Sequence, residues 1–144
     1  MDTHKPIKVL IAEDEDTFSL VLQRILAADK GFDSRVYGFG DKVIEALQEQ
    51  QFDVVILDYK LPERSGLSIL QWMVDRKMDI PVIILTGAGS ENVAVEAMKL
   101  GAYDYIPKEH FDKEHLAHII ISAHERHVSR TERALRGRAA PETN

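Results

Sequence analysis

Cysteine is absent from all 144 residues. A disulfide scaffold, a thiolate metal site and a cysteine nucleophile are therefore excluded, and the composition suits a reducing compartment. Basic charge is in deficit: 18 Lys and Arg stand against 24 Asp and Glu, a formal net charge of −6. Such a chain is ill suited to binding nucleic acid over its whole surface, and no direct nucleic-acid partner is expected. No apolar run approaches the ~20 residues of a membrane span, and the opening Met-Asp-Thr-His-Lys-Pro lacks a signal-peptide core. There is no internal repeat and no low-complexity tract. With 44% hydrophobic and 29% charged residues, the balance is that of a globular protein. The expectation is one soluble, cytoplasmic domain of ordinary size.

Two kinds of segment alternate along the chain. Short, apolar, β-branched stretches fall at Ile7–Ala12, Ser34–Phe39, Asp53–Leu57, Pro81–Leu85 and Tyr103–Ile106. Between and after them run stripes at helical spacing: Phe18, Val21, Leu22, Ile25 and Leu26; Val43, Ile44 and Leu47; Leu67, Leu70, Met73 and Val74; Ala94, Ala97, Met98 and Leu100; Leu116, Ile119, Ile120 and Ala123. Five strand–helix repeats predict a parallel sheet covered on both faces, a three-layer α/β domain. Right-handed crossovers follow from chain chirality. The last helical pattern continues from Asp112 to about Arg136, roughly 37 Å at 1.5 Å per residue, and Ala139–Asn144 reads as a frayed end.

In open parallel sheets the chemistry sits beyond the carboxyl ends of the strands. The first strand is followed by Glu13, Asp14, Glu15 and Asp16, the third by Asp58, Tyr59 and Lys60, the fourth by Thr86 and Gly87, and the fifth by Lys108. Carboxylates, a hydroxyl and an ammonium can therefore meet on one rim. Crowded carboxylates repel, and a hard divalent cation relieves them; Mg²⁺ favours one or two carboxylates, waters and a phosphate oxygen. A further carboxylate beside it can serve as nucleophile toward phosphorus. Thr86 can bond one phosphoryl oxygen and Lys108 neutralise another. Phosphoryl transfer asks mainly for such positioning and charge neutralisation.

The segments VLIAEDED, VVILDYKLPERSGL, VIILTGAG and GAYDYIPK resemble, in order and spacing, the receiver domain of two-component response regulators. The likeness covers about residues 6–125. It implies the doubly wound, flavodoxin-like fold with strand order 2-1-3-4-5, a receiver domain over residues 1–125 and a helical extension with tail over 126–144. It implies Asp58 as phosphoacceptor, Glu13, Asp14, Asp58 and the backbone carbonyl of Lys60 around Mg²⁺, and Thr86 and Lys108 as the groups that hold the phosphoryl oxygens. Of the acidic pair, Asp14 is the direct ligand and Glu13 acts partly through water. Tyr105 matches the family's switch aromatic, while Lys60 and Ala88 match positions that tune phosphoryl turnover. The order Ile106-Pro107-Lys108-Glu109 departs from the family pattern, which places proline after the lysine, so the loop beyond the fifth strand must be built differently.

Function follows as an expectation: a sensor histidine kinase or phosphotransfer protein donates to Asp58, and a conformational switch controls a target protein or output domain. The protein would be a switch that catalyses its own phosphorylation and dephosphorylation, not an enzyme with an external substrate. Three other readings compete. A nucleotide- or flavin-binding protein needs a phosphate-cradling loop after the first strand, where this chain places four acids. An aspartyl phosphatase would use Asp14 and Asp16, but 144 residues leave no room for a cap domain. A phosphorylation-independent interaction module is opposed by the complete set of site residues.

Glu15 and Asp16 read as helix N-terminal acids. His110, His115, His118, His124 and His127 read as a solvated helix face. Arg126, Arg130, Arg133, Arg136 and Arg138 read as a solvated extension, salt-bridged to Glu125 and Glu132, and Trp72 and the phenylalanines as packing. Ile121, Val128 and Leu135 recur every seven residues, with polar His124 and Thr131 between, a weak coiled-coil seam. An exposed charged helix of this kind is marginal alone. Its expected support is a second copy in a weak homodimer, a downstream module or a target.

Overall fold

A computed structural model describes residues 5–29, 31–87, 90–109 and 112–139. Ten elements alternate: β1 (Ile7–Ala12), α1 (Asp16–Ala27), β2 (Phe32–Tyr37), α2 (Gly40–Glu49), β3 (Val54–Asp58), α3 (Gly66–Asp75), β4 (Val82–Thr86), α4 (Glu91–Leu100), β5 (Asp104–Pro107) and α5 (Lys113–Ala139). The strands form one parallel sheet in the order β2-β1-β3-β4-β5. This is the expected doubly wound fold.

Side chains alternate across the pleat and split the core in two. Leu10, Val55, Leu57 and Ile84 point to one face, where α2, α3 and α4 cover them with Val43, Leu47, Ile69, Met73 and Ala97. Val9, Ile11, Ile56, Ile83 and Ile106 point to the other, under Leu22 and Leu26 of α1 and Leu116, Ile120 and Ala123 of α5. β3 and β4 are buried along their whole length, which is why their sequences are continuous apolar runs. Gly101 ends α4 in the left-handed region, at φ 115°, a conformation that suits glycine.

The apolar stripes need local correction. β2 begins two residues before its expected start, because Phe32 is buried and pairs with Ile7 at the sheet's edge. The alternating charges Asp33 and Arg35, an ion pair at 3.5 Å, hid that start in sequence. Val21, Val74 and Met98 are exposed, and Ser19 takes a buried place in α1 with its hydroxyl bonded to the Asp16 carbonyl at 3.1 Å. Trp72 does pack against the core, but Phe39 is exposed.

The extension of α5 departs furthest from expectation. His127 is not a solvated residue: its Nδ1 lies 2.9 Å from the Tyr103 hydroxyl and its Nε2 3.2 Å from Asp79 Oδ1. Nδ1 of His124 is buried as well. Neither Glu125 nor Glu132 pairs with an arginine among the described residues; Arg126 and Arg130 turn instead to Tyr103. An aromatic with two acceptor oxygens, met just before β5, outcompetes exposed carboxylates whose pairing with arginine is worth little in water. His110 lies outside the described residues. No described helix is long and apolar enough to cross a membrane.

Candidate functional site

The carboxyl ends of β1, β3, β4 and β5 open on one rim, and the residues that follow them line a groove of about 680 Å³. Asp58 is the last residue of β3 and Thr86 the last of β4; Glu13 follows β1 and Lys108 follows β5. Glu13 and Asp58 are each only 2% exposed, and Thr86 3%. These polar groups are held at strand ends, with the backbone between them already tied: Glu13 N–H donates to the Tyr37 carbonyl at 3.0 Å and Lys108 N–H to the Thr86 carbonyl at 2.8 Å.

Lys108 is the electrostatic centre. Its Nζ donates to Asp58 Oδ2 at 2.8 Å and sits 2.8 Å from Glu13 Oε1, with Glu15 further off at 3.9 Å. Burial depresses the ammonium, but the hydrogen bond to Asp58 and the pairing with Glu13 outweigh it and raise its pKa. Glu13 is pushed up to about 7, chiefly by burial. The Lys108 contact opposes that rise and the Asp58 charge adds to it. The other oxygens are engaged locally: Glu13 Oε2 accepts from Glu15 N–H at 3.0 Å, and Asp58 Oδ1 from Lys60 N–H at 3.2 Å.

A cation fits this donor set. One oxygen each from Glu13, Asp14 and Asp58 lies within 4.8 Å of the others. Glu13 Oε1 is buried, and the charge it meets is the Lys108 ammonium at 2.8 Å. Hard carboxylate oxygens that repel one another at this range match a divalent ion such as Mg²⁺.

Glu13, Asp14, Asp58, Lys60 and Lys108 are brought together in this groove, while Thr86 ends the adjacent strand and lines the neighbouring groove. Ala88 falls outside the described residues. Tyr105 stands apart, 41% exposed, in a groove of about 880 Å³ between α4 and β5 that Thr86 also lines. Pro107 is the last residue of β5, level with Thr86, and the described peptide bonds around it are all trans. The lysine is thus delivered straight off the strand end. Glu15 is the N-cap residue of α1 and Asp16 lies in its first turn, as their helix-terminal reading expected.

The sequence left three contributors without a role. The Phe18 ring lies 5.0 Å from Lys108 Nζ, a cation–π contact from a residue counted only as core. Tyr59 lies against Gly87, and its phenol pKa is lowered by a hydrogen bond with Ser90 and then by Lys60, whose Nζ is 5.5 Å from the ring. Gly66 packs onto the backbone of Asp58 itself: a Cβ there would fall 2.3 Å from the Asp58 carbonyl oxygen. Tyr59 was legible as the residue after Asp58 on the rim, and Gly66 as the glycine eight residues after Asp58.

Residues 9–134 match the family model described as the response regulator receiver domain. Transcriptional regulatory protein DltR of Streptococcus agalactiae is 36% identical over 113 residues, 78% of this chain and 50% of DltR. Transcriptional regulatory protein ZraR of Escherichia coli is 34% identical over 106 residues, 74% of this chain and 24% of ZraR. Among solved structures, a response regulator receiver domain protein from Clostridium thermocellum superposes with a TM-score of 0.76 at 32% identity, covering 83% of this chain and 94% of that one. NtrX from Brucella abortus superposes at 0.83 and 26% identity, covering 97% of this chain and 32% of that one. The chain thus spans half or less of these curated relatives.

Proposed function

The chain belongs to the response regulator receiver domain family, whose function is phosphorylation-based two-component signalling, and from that premise we propose that Asp58 is its phosphoacceptor. The observation that carries this reading is the contact of Lys108 with Asp58 at 2.8 Å, beside two further carboxylates within 4.8 Å. The donor is the phosphohistidine of a sensor kinase or phosphotransfer protein. Asp58 attacks phosphorus in line; the new O–P bond forms as the N–P bond breaks, and the imidazole leaves with the bonding pair. Hydrolysis reverses the modification when water attacks phosphorus and releases inorganic phosphate.

Glu13, Asp14, Asp58 and the carbonyl of Lys60 are the residues that would hold Mg²⁺. When bound, that ion supplies charge neutralisation at the phosphoryl oxygens. The remaining tasks fall to the chain. Lys108 holds Asp58 in place before reaction and can shift to a phosphoryl oxygen afterwards, since its ammonium has three donors. Thr86 lies at the end of the adjacent strand, where its hydroxyl can meet a second oxygen. Tyr105 and Thr86 share the α4–β5 groove, which supports their coupling as a switch. The output is a target protein or output domain, and the setting is cytoplasmic. The protein acts as a signalling switch whose only chemistry is on its own Asp58.

Lys60 is the residue at this rim that tunes turnover. Replacing it with Ala is expected to change the dephosphorylation rate severalfold; an unchanged rate would contradict that role. Incorporation of phosphate from a small phosphodonor tests the site as a whole. It should require Mg²⁺ and fall by at least about tenfold in Asp14→Ala, the cost of one charge-assisted ligand. Labelling that survives chelation of the metal would overturn the assignment.

A further inference from the structure

Among the described residues Ala123 is the last of α5 buried in the core, yet the helix continues to Ala139. What holds the continuation is Tyr103, just before β5. Arg126 Nη2 donates to the Tyr103 carbonyl at 3.2 Å and its guanidinium lies 5.4 Å from the ring. Arg130 Nη1 donates to the Tyr103 hydroxyl oxygen at 2.9 Å and lies 5.5 Å from the same ring. Guanidinium only donates, so the hydroxyl accepts from Arg130 and gives its own proton to His127 Nδ1. His127 then directs Nε2–H to Asp79.

These contacts fix two guanidiniums along one wall of a groove of about 500 Å³ between the end of α4 and the continuation of α5. Arg133 extends the row, Ser129 adds a hydroxyl, and the exposed Met98 supplies apolar surface opposite. The three arginines span about 10 Å along the helix, at 1.5 Å per residue. None of the three pairs with a carboxylate among the described residues, although the chain carries an excess of acid. All are Arg, whose planar fork takes carboxylates in bidentate fashion, and Tyr103 has already ordered two of them.

We propose that this groove docks an acidic segment of a partner protein, with its carboxylates on Arg126, Arg130 and Arg133 and an apolar side chain on Met98. A protein segment is favoured over nucleic acid by charge. A duplex brings a long line of phosphates against a molecule of net charge −6. A short acidic segment meets only the local row of cations. The groove is separate from the Asp58 rim, and the inference stands without phosphorylation there.

The test uses the unphosphorylated full chain and a synthetic amphipathic peptide bearing Glu at i, i+4 and i+7 with Leu at adjoining positions. Fluorescence anisotropy should show saturable binding that is lost when the peptide's Glu residues are Gln. Arg133→Glu should weaken it about tenfold, the scale of one charge-assisted contact. Among the described residues Arg133 is exposed and makes no hydrogen bond or ion pair, so that variant should stay folded, and Arg133→Lys should fall between it and the parent. Arginine Nε–H NMR signals should move at Arg126, Arg130 and Arg133 ahead of other arginines. Binding indifferent to Arg133→Glu, shifts spread evenly over all arginines, or tighter binding of a mixed-sequence DNA duplex would each overturn the proposal.

Discussion

Glu13 is the residue whose charge state the site disturbs most. Its carboxyl is pushed up to about 7 from 4.5, first by burial and then by the neighbouring Asp58, with Lys108 pulling the other way. A carboxyl of this kind takes up a proton on folding. Its contribution to stability is present below the unfolded value and is lost as pH rises through about 7. In the absence of metal, Glu13→Gln should therefore melt higher than the parent around pH 8, and the gap should narrow as pH falls and close only below about 4.5, where Glu13 is neutral in the folded and the unfolded chain alike. Saturating Mg²⁺ should reverse the order at the higher pH. A gap that does not vary with pH would assign the effect to something other than the Glu13 charge. Gly66 gives a second residue-scale outcome. An added Cβ would stand 2.3 Å from the Asp58 carbonyl oxygen and 2.9 Å from Tyr59 Cα, both backbone atoms that cannot swing aside. Gly66→Ala should cost about 2–3 kcal/mol in chemical denaturation, at the upper end of overpacking effects, and a loss under 0.5 kcal/mol would show that the loop yields. Glu13, Asp58, Thr86 and Lys108 were legible in sequence because each is among the first polar residues after an apolar strand. Phe18 and Tyr103 were not, because what gives them their roles is a partner ninety or twenty-odd residues away.

At the scale of elements, strands β3 and β4 announced themselves as VVIL and VIIL, since both faces are covered and every residue must be apolar. β2 at the edge was misplaced, since half-exposed strands mix charges into the pattern. The length of α5 was legible from its helical run, but its attachment was not. Tyr103 accepts from Arg126 and Arg130 and donates to His127, so the continuation is tied to the sheet by a polar network and not by apolar packing. Tyr103→Phe removes the hydroxyl and with it two of these bonds, leaving the carbonyl contact of Arg126. The cost should be about 1–2 kcal/mol, from about 1 kcal/mol per net hydrogen bond. Its local signature should be faster amide exchange over residues 126–139, with Leu116–Ala123 unchanged. Equal exchange in both segments would mean that the continuation is held some other way.

For the whole molecule, Lys108 joins the sheet's ends. It reaches from β5 to Asp58 on β3 and to Glu13 after β1, while its own N–H is bonded to Thr86 on β4. A phosphoryl group on Asp58 would compete with that carboxylate oxygen for the ammonium, and in the proposed switch the change would pass along β5 to Tyr105. A population shift from 1:99 to 99:1 needs about 5.5 kcal/mol of differential interaction, within reach of several charge-assisted contacts remade at once. The most direct measurement is the site of modification. The full chain is incubated with Mg²⁺ and a small phosphodonor, reduced with borohydride to trap the acyl phosphate, digested and mapped by mass spectrometry. The adduct should lie on Asp58 alone and vanish in Asp58→Asn; an adduct on another carboxylate, or an undiminished one in that variant, would contradict the account.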